Sequence, residues 1–346
     1  MRGHPWNSLH AGDRAAPASE EDCLALINAL FPERSEHFRL ERDDDCAALS
    51  LSSGSLALST DYFLEDVHFR AAYFTPAEAG AKALSAAVSD LAAVGAVPLG
   101  FSLGLLLPEG LSRAALADCL AGMAAKARAC AIVLTGGDLS RGPCLGFCLT
   151  VWGAPVAEGA PFPARGRARP GDCLFLIGEA GLARVGLEAL EALGREALSR
   201  YPASCAAHLD PPVLLAEGQA LARLARREPA LSLMDCSDGP ARDLPRLLAG
   251  SGADLRIDPG LIPEEVRREA GRQGIAPEDI FLAGGEDYAL IGSCPESCWP
   301  LAREAVPAAR LLGRVREDSL FFCNGAPLSL AALSGFDHFA APAGKN

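Results

Sequence analysis

Short acidic motifs, nearly all of them following an apolar run and containing small residues, are spread over the whole length of this chain. They are Asp43-Asp44-Asp45, Ser59-Thr60-Asp61, Ser89-Asp90-Leu91, Gly136-Gly137-Asp138, Asp235-Cys236-Ser237-Asp238-Gly239 and Gly284-Gly285-Glu286-Asp287-Tyr288. An apolar run that closes on an aspartate sets a carboxylate at a strand end. Several such ends, brought together by the fold, can surround a hard cation such as Mg²⁺. The expectation is therefore a fold that gathers distant strand ends into one cleft.

Composition narrows the partners of such a cleft. The 346 residues are half apolar and 22% charged, which supplies packed interiors and makes two domains the default. A net charge of −13 argues against a nucleic-acid or anionic-membrane surface, which needs a basic footprint. An acidic protein that handles phosphates must recruit cations. The 12 cysteines include no Cys-x-x-Cys pair and the 6 histidines form no ligand pair with them, so structural zinc is not expected. The first twenty residues lack the apolar core of a leader, and Val97–Leu107 is too short to span a bilayer. A cytoplasmic protein with reduced, mostly buried thiols is expected.

Read along the chain, residues 1–18 show no periodicity and are expected to be a mobile extension. A helix starts near Ser19, and two short strands meet near Ser53-Gly54. The clearest helix opens at Thr75, with Pro76 in its first turn and Glu78 completing a capping box, and runs to about Val94. Then follow a strand (98–107), a helix (112–130), a strand (131–135), a glycine turn and a strand (145–152), an α+β order. Proline, glycine and arginine at 153–170 mark a joint between an N-terminal domain (19–153) and a C-terminal domain (154–346) of mixed α/β character.

Taken singly, each motif has a bland alternative. Asp235 to Gly239 can be a strand-to-helix turn in which Ser237 caps the helix while Asp235 and Asp238 face its positive N-terminus. Asp243 reads as an ordinary helix-surface residue that could also support that site. Gly136-Gly137-Asp138 fits a glycine turn or a phosphate approach. Ser59-Thr60-Asp61 fits a plain turn or a set of oxygen ligands. Asp43-Asp44-Asp45 fits a solvated charge run or a ligand. His68 fits a packed loop residue, and Lys82 and Arg165 fit either the surface or a phosphate contact.

In this order, from about Asp44 to Phe339, the motifs resemble the thiamine-monophosphate kinase family. That family lies within the superfamily that includes aminoimidazole ribonucleotide synthetase. The resemblance rests on Asp-Asp-Cys-Ala at 44–47, Ser-Thr-Asp and Glu-x-Val-His-Phe within 59–69, Ser-Asp-Leu-Ala-Ala at 89–93, and Gly-Gly-Asp-x-x-Arg at 136–141. Arg-x-x-x-x-Pro-Gly-Asp at 165–172, Asp-x-Ser-Asp-Gly at 235–239, Gly-Gly-Glu-Asp-Tyr at 284–288 and Gly-Phe-Asp-His-Phe at 335–339 complete it. It implies a two-domain aminoimidazole ribonucleotide synthetase-like fold and a homodimer formed through the N-terminal α+β sheet. The implied reaction is Mg²⁺-dependent transfer from ATP to thiamine monophosphate. Carried over by motif, Asp45, Ser59, Thr60, Asp61, Asp90, Asp138, Asp235 and Asp238 hold Mg²⁺; Gly137, Arg165 and Ser237 contact ATP; His68, Glu286 and Phe336 meet the acceptor.

The chain departs from the family pattern at Asp43, Asp66, Ala87 and Pro240, and the arginine expected in the segment 208–213 is missing. Two alternatives stand beside the kinase. One is another ATP-dependent enzyme of the superfamily, and the other is a nucleotide-binding sensor without turnover.

Overall fold

The computed structural model describes residues 4–9, 20–33, 38–40, 48–49 and 54–333. The first half runs α1 (Glu20–Leu30), β1 (Phe38–Leu40), β2 (Ala48–Leu49), β3 (Ala57–Leu64), α2 (Pro76–Ala93), β4 (Val97–Leu107), α3 (Arg113–Ala129), β5 (Val133–Arg141) and β6 (Gly146–Ala154). The second begins β7 (Cys173–Ile177), α4 (Leu182–Leu193), α5 (Ala197–Arg200), α6 (Pro202–Leu209), α7 (Leu215–Ala225), β8 (Ser232–Cys236), α8 (Pro240–Leu248) and β9 (Ala253–Leu255). It closes with α9 (Glu264–Gln273), α10 (Pro277–Ala283), β10 (Ala289–Cys294), α11 (Trp299–Ala305), β11 (Arg310–Val315), β12 (Phe321–Cys323) and β13 (Ala326–Pro327).

Strands β3-β6-β4-β5, in that order, make a four-stranded sheet that is antiparallel except for the parallel β4–β5 pair. Helices α2 and α3 pack on one face of it. Because successive strand residues point to opposite faces, Ser59, Asp61 and Phe63 turn toward the helices, whereas Leu58, Thr60 and Tyr62 turn away. Seven strands form the second sheet, in the order β13-β12-β9-β11-β7-β10-β8.

Helix α2 joins the halves. Its start is as predicted: Thr75 Oγ1 accepts the Glu78 N–H at 3.2 Å, and the Thr75 N–H donates to Glu78 Oε2 at 2.7 Å. Arg195, from the second half, clamps the same Glu78 carboxylate at 2.7 Å. The alanine-rich body lets neighbouring backbones approach, so α2 touches β3, β6 and α3 on one side and α7 and β8 on the other.

Three expectations change. Residues 4–9 are docked, not mobile: Pro5–Leu9 is a 3₁₀ turn whose Trp6 is buried, stacks on Phe69 and donates its indole N–H to the Phe74 carbonyl at 2.7 Å. Strand β5 runs through Gly136-Gly137-Asp138 without turning. A Cβ at Gly137 would collide with the Leu103 carbonyl of β4, so the close approach of a neighbouring strand is what requires glycine there. And α8 starts after Gly239 with no side-chain cap from Ser237.

Candidate active site

Asp61, Asp90 and Asp235 come from β3, the last turn of α2 and the end of β8, and they meet where the two halves touch. Ser59 Oγ donates to Asp90 Oδ2. Ser89 Oγ donates to Asp235 Oδ2 at 3.0 Å. Burial, then the neighbouring Asp90 charge, pushes Asp61 up to about 6. Burial, followed by the Asp90 charge and the weaker Asp243 and Asp61 charges, pushes Asp235 up to about 7 against the Ser89 hydrogen bond. Burial raises Asp90 as well, and the Ser59 hydroxyl and the Arg165 charge oppose it. The three aspartates thus form a partly desolvated patch of negative charge with too little positive charge beside it.

The loop after Asp235 is held from below. Asp243, expected on a helix surface, is fully buried; its Oδ2 accepts the Asp238 N–H at 2.9 Å and its Oδ1 accepts from Arg246 at 2.8 Å. The same Arg246 donates to Asp238 Oδ2 at 2.7 Å, so Asp238 is paired with a cation and not with the other aspartates. Gly239 has φ +97, and a Cβ there would strike the Gly284 carbonyl. That close approach locks this loop onto the 284–288 segment. The Glu286 N–H donates to the Ser237 carbonyl at 2.7 Å.

Glu286 and Tyr288 both have positive φ, +63 and +49, a strained state for side-chain-bearing residues that recurs at functional sites. Glu286 Oε2 accepts from Lys82 Nζ at 3.0 Å, and Lys82, read as surface or phosphate-binding, is fully buried. Burial works against the Glu286 carboxylate, but the Lys82 charge and then the His208 contact outweigh it and hold it down at about 2. Asp287, which drew no separate expectation, is buried and accepts the Gly181 and Ala183 N–H groups at 2.7 Å, anchoring the start of α4. The Tyr288 hydroxyl is raised by burial and then by the charges of Glu286, Asp61, Asp235 and Asp90.

Other expected residues lie elsewhere or outside the described residues. The Thr60 hydroxyl sits on the outer sheet face against Thr150 Oγ1 at 2.9 Å, opposite to Asp61, so this hydroxyl does not join Asp61 in one ligand shell. Gly137 and Asp138 are exposed on β5, at the other edge of the sheet from β3. Three strand spacings of about 4.8 Å put that edge roughly 14 Å from Asp61. Among the contacts of His68, the ring stacks on Phe63 and its Nδ1 accepts the Leu64 N–H at 3.0 Å. Arg165 lies on an exposed turn near Asp90. Asp45 and Phe336, with their motifs, fall outside the described residues.

The donor set in the cleft is all oxygen, from carboxylates and hydroxyls, which suits Mg²⁺ and not zinc. Among the described residues, no three acidic, cysteine or histidine side chains enclose a single point. What the cleft offers is neighbouring carboxylates, Asp90 with Asp61 and with Asp235, to which oxygen ligands from elsewhere would be added. Mg²⁺ is characteristically bound in that way, by one or two carboxylates together with substrate phosphates and water.

Residues 43–154 match the family model described as AIR synthase related protein, N-terminal domain. Thiamine-monophosphate kinase from Escherichia coli strain K12 is 33% identical over 340 residues, covering 92% of this chain and 98% of the relative. The crystal structure of thiamine-monophosphate kinase from Stenotrophomonas maltophilia K279a has a TM-score of 0.74 at 27% identity, over 88% of this chain and 96% of that one. The structure of AaThiL complexed with AMPPCP and TMP has a TM-score of 0.72 at 28% identity, over 92% and 97% of the two chains. The α+β architecture expected from the motifs is thus the one these relatives share. With one residue in three identical over nearly its whole length, the chain belongs to the thiamine-monophosphate kinase family.

Proposed function

We propose that this chain transfers the γ-phosphoryl group of ATP directly to the phosphate of thiamine monophosphate, giving thiamine diphosphate and ADP. The observation that carries the reading is the meeting of Asp61, Asp90 and Asp235 at the contact between the halves, with Glu286 on the adjoining loop. A relative of the same fold solved with AMPPCP and TMP supports it.

The chemistry follows from charge. ATP and a phosphate monoester repel each other and must be brought within bonding reach. Asp61, Asp90 and Asp235, with Ser59, are the residues that would hold Mg²⁺ in this reading; the family motifs add Asp45 and Asp138, and Asp238, which would exchange Arg246 for the metal. Mg²⁺ held there supplies neutralisation of the phosphate oxygens at which charge builds during transfer. Ser237, Arg165 and Gly137 bind and orient the nucleotide. Glu286, kept ionised by Lys82, is the carboxylate that meets the cationic thiazolium and the amino-pyrimidine of the acceptor in this reading, and the family motifs add His68 and Phe336 as acceptor contacts. An acceptor phosphate oxygen bonds to the γ-phosphorus as the bond to the bridging oxygen breaks, and ADP leaves with that electron pair. The acceptor oxygen is already anionic, so no general base is required.

The outer face of the four-stranded sheet carries the partner surface. Leu58 and Tyr62 are each 63% exposed there, beside Thr60 and Thr150. A second copy of the chain covers it, and its β5 edge brings Gly137 and Asp138 toward the Asp61 end of this subunit. Among the described residues, buried thiols that form no disulfide, such as Cys119, Cys173, Cys205 and Cys236, fit a reducing compartment, the cytoplasm. No helix among the described residues is long and apolar enough to cross a membrane.

Purified protein given Mg²⁺, ATP and thiamine monophosphate tests the reading. Equimolar ADP and thiamine diphosphate are expected. Nucleotide binding without turnover on this acceptor would favour the sensor.

A further inference from the structure

Lys82, His208 and Glu286 come from α2, α6 and the loop before β10, and their polar atoms form one triangle. Lys82 Nζ lies 3.0 Å from Glu286 Oε2 and 3.3 Å from His208 Nδ1, and His208 Nδ1 lies 3.3 Å from the same carboxylate oxygen. Lys82 is 0% and His208 1% exposed, whereas the Glu286 side chain is 28% exposed. An ammonium can only donate, so Lys82 supplies both Oε2 and Nδ1. The ring is neutral, because burial and then the Lys82 charge lower its proton affinity. With Nδ1 accepting, the ring proton sits on Nε2, and that buried nitrogen has no hydrogen-bond partner among the described residues. The Tyr73 and Phe74 rings pack against the imidazole at centroid distances of 6.2 and 5.4 Å.

A buried donor without a partner costs on the order of 1–3 kcal/mol, and a phenylalanine in the same aromatic pocket would avoid that cost. What histidine adds over phenylalanine is the Nδ1 acceptor that fixes the direction of the lysine. The Lys82 hydrogen bond falls on Oε2, so the other oxygen of Glu286 is the one left for a ligand. His208 also opens the segment 208–213 in which the family's arginine is missing.

We propose that Lys82 and His208 are positioning residues for the phosphoryl acceptor: Lys82, its direction fixed by His208, grips one oxygen of Glu286 across the contact between the halves and so presents the other oxygen to the acceptor's heterocycles. The inference rests on the reading that Glu286 meets the acceptor. It separates two ends of one helix. Lys82 and Ser89 are seven residues apart on α2, so the first sets the acceptor side and the second the Asp235 side.

Steady-state kinetics with Mg²⁺, ATP and thiamine monophosphate, alongside thermal melting, test it on two variants of the full chain. His208→Phe keeps the ring packing and removes both the acceptor and the orphaned N–H. It is expected to melt at or above the parent temperature, yet to raise KM for thiamine monophosphate about tenfold, the loss of one hydrogen bond near 1.4 kcal/mol, with KM for ATP within about twofold. His208→Asn restores an oxygen acceptor but leaves a cavity; it is expected to melt lower and to keep KM for the acceptor near the parent value. If His208→Phe does not fold, the asparagine variant decides alone, and a tenfold rise in its acceptor KM overturns the inference. So does an unchanged acceptor KM in His208→Phe, or a parallel rise for both substrates. Absence of thiamine diphosphate formation by the parent chain defeats the functional reading instead, which keeps the two failures apart.

Discussion

The Ser89 hydroxyl and the Asp235 carboxylate meet at 3.0 Å although 146 residues separate them in sequence. This bond is where the helix of the first half touches the strand end of the second. Asp90, the next residue on the helix, faces Ser59 on β3. The cleft is therefore assembled by one helix terminus, and its charge balance depends on how the halves pack.

That charge balance predicts a pH-dependent response to metal. Asp61 and Asp235 have folded-state pKa values of about 6 and 7, above the ordinary 3.8. For groups raised in this way, the stabilising contribution is present below the unfolded pKa near 4 and is lost as pH rises through about 6 and 7. Metal-free protein should lose melting temperature between about pH 5 and pH 8 from these groups, and Mg²⁺ should restore more at pH 8 than at pH 5. Equal Mg²⁺ shifts at both values would count against a cation site here.

Asp243 holds the Asp235–Gly239 loop through the Asp238 N–H and Arg246. Replacing it with alanine strands the Asp238 N–H, leaves Arg246 with Asp238 alone and opens a buried gap. Asp243→Ala is expected to lose about 2–3 kcal/mol in urea denaturation, with Asp243→Asn losing less. A loss under about 0.5 kcal/mol, the range of ordinary surface changes, would contradict the burial described.

Trp6 links the N-terminal turn to Phe69 and Phe74, and His4 contacts Glu65 at 3.0 Å. Trp6→Ala should cost about 3 kcal/mol. A mobile extension, as composition suggested, would leave the unfolding midpoint unchanged.

Tyr62→Glu places a charge on the outer face of the four-stranded sheet without touching the core. The variant should elute as a monomer in size-exclusion chromatography, keep its far-ultraviolet circular dichroism and lose transfer activity. A dimer of parent size would move the partner surface elsewhere.

Local signals were legible in the sequence and tertiary ones were not. Thr75, Pro76 and Glu78 announce the start of α2 because capping is settled within four residues. Gly136-Gly137 reads as a turn on its own, yet what requires Gly137 is the Leu103 carbonyl on the next strand. Asp243 looks like a polar helix residue until the loop above it folds down. The grouping of Ser59, Thr60 and Asp61 as one ligand set overlooked a rule the sequence does contain: on a strand, Thr60 must face away from both neighbours. Lys82 stood out in principle, as a cation amid alanines on a helix otherwise made for packing. Its partner Glu286, 204 residues on, could not be read without the fold.

The most direct test is thiamine diphosphate formation by the parent chain and by Asp61→Asn and Asp235→Asn across a Mg²⁺ titration. The account predicts product in step with ADP for the parent only when Mg²⁺ is present. Both variants should stay folded, with kcat/KM down by on the order of a hundredfold or more. Turnover near the parent rate in either folded variant would contradict a cation-filled cleft built on these aspartates.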